Sequence, residues 1–352
     1  MYSGTMAVPE SSGFDVSRLA AHLSDRLTGF DGPIELRQFR GGQSNPTYLL
    51  TCGALRFVLR RRPAGKLLPS AHAIDREFRV TSALLGSGVP VAKPLLYCDD
   101  ESVIGSSFYI LEHIAGRQFW EPLLPDLSPV ERKAIYREAG RTIAALHRIE
   151  PASVGLADFG STANYFQRQI ARWTRQYRAS ETIRIDAMEQ LIAWLPEHAP
   201  CDNEVRLVHG DYRLDNLIFH PTECQVLAVL DWELSTLGHP LADFAYHCLP
   251  WYLRPDELRG FAGLDVASVG IPTVEEHLAD YCVATGRAPV DPSTWRTCIA
   301  FSMFKVAAIL QGVAKRALDG NASNSNAASA GARTWSIAER GWELALRRHS
   351  HP

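Results

Sequence analysis

The sequence predicts an α+β protein in which a strand-rich N-terminal part is followed by a mainly helical part. The chain has 352 residues, more than one small core accommodates and about right for two packed lobes. From Ile34 to Ile114, short runs of strand-forming residues are separated by Gly and Pro. After Gly116, apolar residues recur at helical spacing. The predicted division is an N-terminal helical segment (1–30), a sheet-containing N-terminal lobe (31–113) and a helical C-terminal lobe (114–352).

The pattern of apolar residues predicts about five strands, with one helix inserted after the third. The predicted strands cover residues 34–39, 47–51, 56–60, 95–98 and 108–112, and the predicted N-terminal helices cover residues 14–28 and 75–85. The later helices are predicted at 130–149, 165–177, 182–195, 297–318 and 335–347, with others starting at 241 and 274 and a strand region at 207–232. The small, polar residues 319–332 predict a loop.

Composition narrows the class of protein and its partners. Apolar residues make up 46% of the chain, charged residues make up 21%, and the formal net charge is −3, so we expect no nucleic-acid partner and no membrane partner. No apolar run approaches the roughly 20 residues of a membrane helix, and residues 1–13 lack the pattern of a signal peptide. The seven cysteines include no Cys-x-x-Cys pair, which favours free thiols and a cytoplasmic location.

The strongest functional signal lies between Leu207 and Asp231. An apolar strand leads into His209-Gly-Asp211, Asn216 follows five residues after the aspartate, and a second apolar strand ends at Asp231. Phosphoryl transfer needs one carboxylate to orient the attacking hydroxyl and accept its proton, and it needs oxygen ligands for magnesium. A lone aspartate after a strand is more often a turn or cap residue. The whole combination instead favours Asp211 for the first task and Asn216 and Asp231 for the second.

These motifs resemble the aminoglycoside phosphotransferase family. The resemblance covers roughly residues 30–320 and rests on residues 209–216, on 230–233 (Leu-Asp-Trp-Glu) and on 238–243 (Gly-His-Pro-Leu-Ala-Asp). The most similar branch occurs as kinase-like domains attached to acyl-CoA dehydrogenases and as free-standing bacterial proteins. The resemblance implies a protein-kinase-like bilobal fold, with a small antiparallel sheet in the N-terminal lobe and ATP between the lobes. It also implies that Asp211 is the catalytic base, that Asn216 and Asp231 bind Mg²⁺, and that Asp243 braces the catalytic loop.

Further residues of the N-terminal lobe are candidates for nucleotide binding. Glycines such as Gly42 allow backbone N–H groups to approach phosphates, and Ser44 and Asn45 can add donors, although a Gly-Gly hairpin is usually just a turn. Val58 and Arg60 share one face of a strand.

The resemblance places Val58 under the adenine and places Arg60 where kinases carry a phosphate-binding lysine, although Arg61 or Arg62 could serve instead. Glu77 would be the acidic partner, or else a solvated helix charge. Backbone groups of Glu112 and Ile114 would bind the adenine edge at the hinge, a role compatible with a plain strand followed by a linker.

Two other functions compete with a small-molecule kinase. In protein kinases a long activation segment separates the metal-binding aspartate from the helix that braces the catalytic loop. Here Asp231 and Asp243 are only 12 positions apart, which favours a small acceptor. The second alternative is a kinase-like binding or scaffold module. The missing lysine supports it, whereas the intact set of Asp211, Asn216 and Asp231 opposes it.

The acceptor is predicted to be an anionic alcohol. Arg168, Arg172 and Arg175 recur on one helix face in the segment where the family builds its acceptor pocket, and Tyr177 adds aromatic surface. Such arginines would repel polycationic aminoglycosides and attract an anion. The branch resemblance makes a hydroxylated acyl-CoA a candidate, with an aminoglycoside-type antibiotic or another small metabolite as the alternative. A solvated basic face is the other interpretation of these arginines.

Overall fold

A computed structural model describes residues 4–8, 15–30, 32–40, 45–63, 73–201, 204–319 and 330–347. The chain divides into two compact units. Unit 1 comprises Met1–Gln118 and Asn216–Ser235, and unit 2 comprises Phe119–Asp215 and Thr236–Pro352. Residues 216–235 therefore group with the N-terminal part of the chain, whereas the sequence-based division places them in the helical lobe. The three-part division stays a prediction.

The described residues form short strands and longer helices. The strands are β1 (Thr5–Ala7), β2 (Ile34–Phe39), β3 (Thr47–Cys52), β4 (Leu55–Arg61), β5 (Pro94–Cys98), β6 (Phe108–Glu112), β7 (Arg206–Val208), β8 (Leu217–Phe219), β9 (Val226–Val229) and β10 (Thr236–Gly238). The helices are α1 (Val16–Ser24), α2 (Ile74–Leu84), α3 (Glu101–Ile104), α4 (Pro129–Arg148), α5 (Tyr165–Ser180), α6 (Asp186–His198), α7 (Pro240–His247), α8 (Pro255–Leu258), α9 (Val274–Thr285), α10 (Pro292–Leu318) and α11 (Ala330–Leu346).

Unit 1 contains an antiparallel sheet of six strands in the order β1-β2-β3-β4-β6-β5. The predicted strands and the inserted helix α2 are all present, whereas β1 was not predicted. β1 pairs through three residues with β2 at the edge of the sheet, and such a short, mostly exposed strand carries no alternating apolar pattern.

The sheet of unit 1 is covered on both faces. On one face, Leu19 and Leu23 of α1 join a buried cluster with Leu50, Leu59 and Phe108 of the strands. On the other face, Ile74 of α2 packs with Tyr109 and Leu111 of β6 and with Val58 of β4. Since successive strand residues point to opposite faces, Val58 and Arg60 both point toward the α2 side.

Unit 2 is mainly helical, and α10 runs through its core. By length and composition alone, α10 is long and apolar enough to cross a membrane. However, 83% of its apolar 18-residue stretch is buried inside the protein, as in a helix of a protein core. α10 begins five residues before its predicted start at Thr297, because the Asp291 side chain accepts hydrogen bonds from the N–H groups of Ser293 and Thr294.

Other differences from the predicted elements are local. α6 begins at Asp186, not at Thr182, because Ile185 has an extended backbone. The one-turn helices α3 and α8 are too short to carry a periodic signal. The predicted loop at residues 319–332 lies mostly outside the described residues, although α11 already starts at Ala330.

Candidate functional site

Arg60 of β4 and Glu77 of α2 form an ion pair inside unit 1. The two-residue period of β4 directs Arg60 toward α2, where Glu77 lies in the first turn. The Nε atom of Arg60 lies 3.1 Å from Oε2 of Glu77, and only 2% of the Glu77 side chain is exposed. Glu77 is therefore a buried partner and not a solvated helix charge. Arg61 is buried and Arg62 is exposed, so Arg60 is the arginine of this run that meets Glu77.

Glu77 is held at both carboxylate oxygens. Asn45 donates a hydrogen bond to Oε1 (2.7 Å), and the hydroxyl of Tyr109 donates one to Oε2 (2.8 Å). Burial raises the pKa of Glu77 above its ordinary value, while the charge of Arg60 and the two hydrogen bonds act in the opposite direction. The satisfied carboxylate fixes the distance between α2 and the sheet and orients Arg60.

Arg60 also contacts Asp231, which follows β9 in the second segment of unit 1. One Nη atom of Arg60 lies 2.7 Å from Oδ1 of Asp231 and 3.7 Å from Oε2 of Glu233. Burial acts to lower the pKa of Arg60, but the charges of Glu77 and Asp231 outweigh it and raise that pKa, so the guanidinium stays charged. Arg60 thus links the buried acid of α2 to the carboxylate predicted to bind magnesium.

The hairpin of β8 and β9 brings Asn216 and Asp231 to neighbouring positions. The N–H of Leu230 donates to the carbonyl of Asn216 (2.8 Å), directly before Asp231. Asp231 has a left-handed backbone (φ 63°), which is uncommon for a residue other than glycine and recurs at functional sites. Its side chain is 32% exposed.

The donor set of this hairpin fits magnesium, which typically takes one or two protein carboxylate or amide oxygens and completes its shell with phosphates and water. Among the described residues, no group of three or more His, Cys, Asp or Glu side chains is arranged to hold a metal without such help.

The other residues predicted to bind the nucleotide lie in different surroundings. Gly42 and Ser44 lie outside the described residues. Asn45 is fully buried and donates its side-chain amide to Glu77, and its role toward a phosphate stays a prediction. Val58 is partly buried on the α2 face of the sheet.

Glu112 and Ile114 lie at the end of β6. The N–H of Glu112 donates to the carbonyl of Lys93 (3.0 Å), and the last ladder contact is donated by His113 to Arg56 (3.4 Å). Ile114 therefore follows the end of the paired strand, where a backbone amide can face a ligand.

In unit 2, a buried carboxylate holds the loop that carries Asp211. Asp243 of α7 accepts hydrogen bonds from the N–H groups of His209 (2.6 Å) and Gly210 (2.8 Å). His147 also contacts Asp243 (3.2 Å) through Nε2, while its Nδ1 lies 2.8 Å from the hydroxyl of Tyr281. Burial acts to raise the pKa of Asp243, but the hydrogen bonds from His147 and His209 and the electrostatic attraction of these two histidines outweigh it and hold that pKa below its usual range.

The turn at Gly210 requires a glycine, because its φ of +83° lies in the left-handed region. The next N–H, that of Asp211, points back to Nδ1 of His209 (3.2 Å). The N–H groups of His209, Gly210 and Asp211 are thus all bound within the protein, and the Asp211 side chain remains partly exposed, at 19%.

Groups from the same loop, from α7 and from α10 surround Asp211 and its loop. Arg213 lies 3.3 Å from Oδ1 of Asp211 and 3.3 Å from Asp215. The hydroxyl of Tyr246 on α7 hydrogen-bonds Asp211, and burial raises the pKa of Tyr246 well above its usual range, so this phenol stays neutral. Lys305 of α10 donates to the carbonyl of Gly210. Sequence reasoning missed Lys305, although it is the single charged residue between Arg296 and Lys315 in an otherwise apolar helix.

The arginines of α5 differ in their contacts. Arg168 donates to the carbonyl of Ser161 (2.8 Å), whereas Arg172 and Arg175 are exposed. Arg172 lies over the ring of Trp173, 5.1 Å from its centroid. The prediction that the aromatics of this segment meet the acceptor needs correction for Tyr177, which is fully buried and accepts a hydrogen bond from the N–H of Ile185 (3.2 Å).

An apolar cleft lies beside the Asp211 loop in unit 2. Arg213 and Tyr246 line it, and both contact Asp211. Arg259, which pairs with Asp215 (3.3 Å), adds a second cation. The apolar part of the lining includes Phe119, Trp120, Tyr136, Leu249, Leu253 and Val306.

Comparison with known proteins agrees with this geometry. Residues 35–284 match the phosphotransferase enzyme family (APH). The chain is 49% identical over 346 residues to acyl-CoA dehydrogenase family member 10 of Mus musculus, and the match covers 97% of this chain but only 32% of that protein. The chain therefore spans about a third of the length of this relative.

The fold is shared with solved structures. A crystal structure from Ralstonia eutropha JMP134, provisionally described as an aminoglycoside phosphotransferase, is 50% identical with a TM-score of 0.86 and covers 94% of this chain and 98% of its own. The structure of spectinomycin phosphotransferase with ADP and spectinomycin is 12% identical with a TM-score of 0.61, covering 94% and 98% of the respective chains. The predicted resemblance and the kinase-like α+β fold, with its antiparallel N-terminal sheet and mainly helical remainder, are confirmed.

Replacing Arg60 is expected to destabilise the protein strongly. Arg60→Ala leaves Glu77 as a buried charge without its cation, a change that typically costs about 3–5 kcal/mol in the free energy of unfolding. The exposed Arg62 provides the matched control, and Arg62→Ala should change stability by less than about 0.5 kcal/mol. Urea denaturation of both variants measures the difference.

The loss of unfolding free energy caused by Arg60→Ala should depend on pH. Glu77 has a raised pKa in the folded state, so its contribution to stability is largest at acid pH and is lost as pH rises through that pKa. Loss of Arg60 raises the pKa further, and the deficit should therefore be smaller near pH 5 than near pH 8. Adding Glu77→Gln should recover part of the loss. A deficit that is independent of pH, or an equal cost for Arg62→Ala, contradicts the assignment.

Proposed function

The chain belongs to the phosphotransferase enzyme family, and from that membership we propose that it transfers the γ-phosphoryl group of ATP, with magnesium, to a hydroxyl group of a small molecule. The observation that carries the proposal is the presentation of Asp211. Its carboxylate is partly exposed at the end of a loop whose backbone donors are bound by the buried Asp243.

Asp211 is proposed to act as the base. A carboxylate in hydrogen-bond reach of the acceptor hydroxyl orients that hydroxyl and takes its proton as the phosphoryl group is transferred. Arg213 and the Tyr246 hydroxyl hold the carboxylate from its sides. The fixed backbone of His209 and Gly210 keeps Asp211 from rotating away, and such preorganisation is a large part of what an enzyme contributes to this reaction.

Unit 1 is proposed to bind the nucleotide and its metal. Asn216 and Asp231 would hold Mg²⁺, which would neutralise charge on the phosphates when bound. Arg60, oriented by Glu77, would reach a phosphate as well as Asp231, because a guanidinium can serve two oxyanions at once. Val58 would lie against the adenine, with backbone groups of Glu112 and Ile114 at its edge.

The acceptor is proposed to combine an apolar part with negative charge. The apolar cleft supports a chain-like apolar portion next to Asp211, and Arg213 and Arg259 support an anionic group. The exposed Arg172 and Arg175 add positive charge on α5. A hydroxyacyl-CoA has both features, its acyl chain suited to the cleft and its phosphates to the arginines. A polycationic aminoglycoside has neither.

A binding or scaffold module is the second candidate. The arginine at the lysine position is the observation in its favour, because the geometry of a guanidinium differs from that of an ammonium. A catalytic module and a binding module differ in whether phosphate leaves ATP, and nucleotide affinity alone does not separate them.

Replacing the base is expected to stop turnover while nucleotide binding is retained. Asp211→Asn preserves the size of the side chain but removes the proton acceptor, so kcat should fall by at least about 100-fold with little change in nucleotide Kd. Asp256→Asn, at an exposed aspartate on α8, is the matched control and should retain parental activity. Parental kcat in Asp211→Asn would exclude Asp211 as the base.

The acceptor proposal predicts a charge-dependent preference. With Mg-ATP, hydroxyacyl-CoA thioesters should be phosphorylated with a higher kcat/KM than kanamycin-type antibiotics. Arg172→Glu should lower kcat/KM for the thioester by about tenfold, the effect of 1.4 kcal/mol. Arg184→Glu reverses an exposed charge paired with Asp186 and should have little effect. Efficient turnover of the antibiotic alone, insensitive to Arg172→Glu, would overturn this proposal.

A further inference from the structure

Lys305 is a buried cation in contact with the loop that carries Asp211. The residue is 8% exposed, and its ammonium donates a hydrogen bond to the carbonyl of Gly210. It lies 4.4 Å from the ring centroid of Tyr246 and 5.7 Å from that of Trp173. Aromatic faces stabilise a cation but do not replace its hydration completely, so burial of this ammonium carries a cost that a neutral side chain would avoid.

The backbone N–H and carbonyl of Gly210 are bound by side chains of opposite charge. Asp243 accepts from the N–H of Gly210 (2.8 Å), and Lys305 donates to its carbonyl. The residue before Asp211 is therefore fixed at both of its polar groups by buried side chains from α7 and α10. Charge-assisted hydrogen bonds of this kind are about twice as strong as neutral ones.

We propose that Lys305, in its protonated form, is a positioning residue for phosphoryl transfer, which holds the Gly210 carbonyl so that the Asp211 carboxylate keeps its reactive orientation. The inference rests on the proposed role of Asp211 as the base. It explains why a charged side chain is buried at a position where an apolar residue would cost less in folding stability.

The surroundings of Lys305 make its charge sensitive to pH. Burial lowers the pKa of Lys305 to about 8; Asp211 and Asp243 act to raise it, and Arg172 and Arg213 act to lower it further. The charged form therefore dominates below about pH 8 and is lost as pH rises through that value. Lysine has an ordinary value near 10.4 and arginine stays protonated, so only the native lysine should titrate in this range.

The first experiment compares pH profiles of kcat for the parent, Lys305→Met, Lys305→Arg and a control. The control is Lys315→Met, at a partly exposed lysine of the same helix that pairs with Asp319. Parental kcat should fall above about pH 8, whereas Lys305→Arg should lack that alkaline limb. At pH 7, Lys305→Met should lose about 100-fold in kcat, the scale of a small misplacement of a reacting group, with KM for Mg-ATP unchanged. Lys315→Met should match the parent throughout. A parental alkaline limb retained in Lys305→Arg, or normal kcat in Lys305→Met, overturns the proposal.

A second measurement does not require turnover. Amide hydrogen exchange of residues 207–213 at pH 7 should be faster in Lys305→Met and unchanged in Lys305→Arg and Lys315→Met. If the parent phosphorylates none of a panel of hydroxylated acceptors, the proposed function fails, while the exchange data still decide whether Lys305 holds the loop. Equal protection in the parent and in Lys305→Met contradicts the positioning role.

Discussion

The geometry of the candidate site depends on buried carboxylates that bind backbone and side-chain donors. Asp243 accepts from His209 and Gly210, and this fixes the turn from which Asp211 projects. Glu77 has the corresponding role in unit 1, where it accepts from Asn45 and Tyr109 and orients Arg60. A buried charge left without partners costs several kcal/mol of folding stability. Each carboxylate and its donors are therefore expected to be retained or lost together. Asp211 and Arg60 are thus positioned by carboxylates that are more deeply buried than they are.

The same logic explains how an arginine can occupy the position where the resemblance implies a lysine. A lysine presents one point charge, whereas the Arg60 guanidinium spreads its donors over a planar fork. In unit 1 the fork contacts Glu77 with one nitrogen and Asp231 with another. Arg60 thereby maintains the helix-to-strand contact expected of the lysine and also controls the carboxylate of Asp231, which has a strained left-handed backbone.

Some features of the candidate site follow from local sequence patterns, whereas others depend on packing between residues that are distant in the chain. The two-residue period of β4 is enough to place Arg60 on the α2 side, and two short apolar runs predict the hairpin of β8 and β9 that brings Asn216 and Asp231 to neighbouring positions. No local pattern shows that Tyr177 is fully buried, or that Asn45 donates to Glu77, a residue 32 positions later in the chain. Lys305 left one signal, an isolated charge in an apolar helix, and only the structure relates it to a loop 95 positions earlier. The apolar cleft beside the Asp211 loop is likewise lined by scattered residues of unit 2, and its lining includes none of the aromatic residues of α5.

Transfer of label from [γ-³²P]ATP tests the central claim most directly. The purified chain would be incubated in a single turnover with labelled ATP, magnesium and a panel of hydroxylated metabolites that includes hydroxyacyl-CoA thioesters, with omission of magnesium as the control. A phosphotransferase should move the label onto one acceptor class, form an equal amount of ADP, and do neither without the metal. Bound nucleotide with no loss of label from ATP, for every acceptor in the panel, would contradict the account and favour a kinase-like binding module.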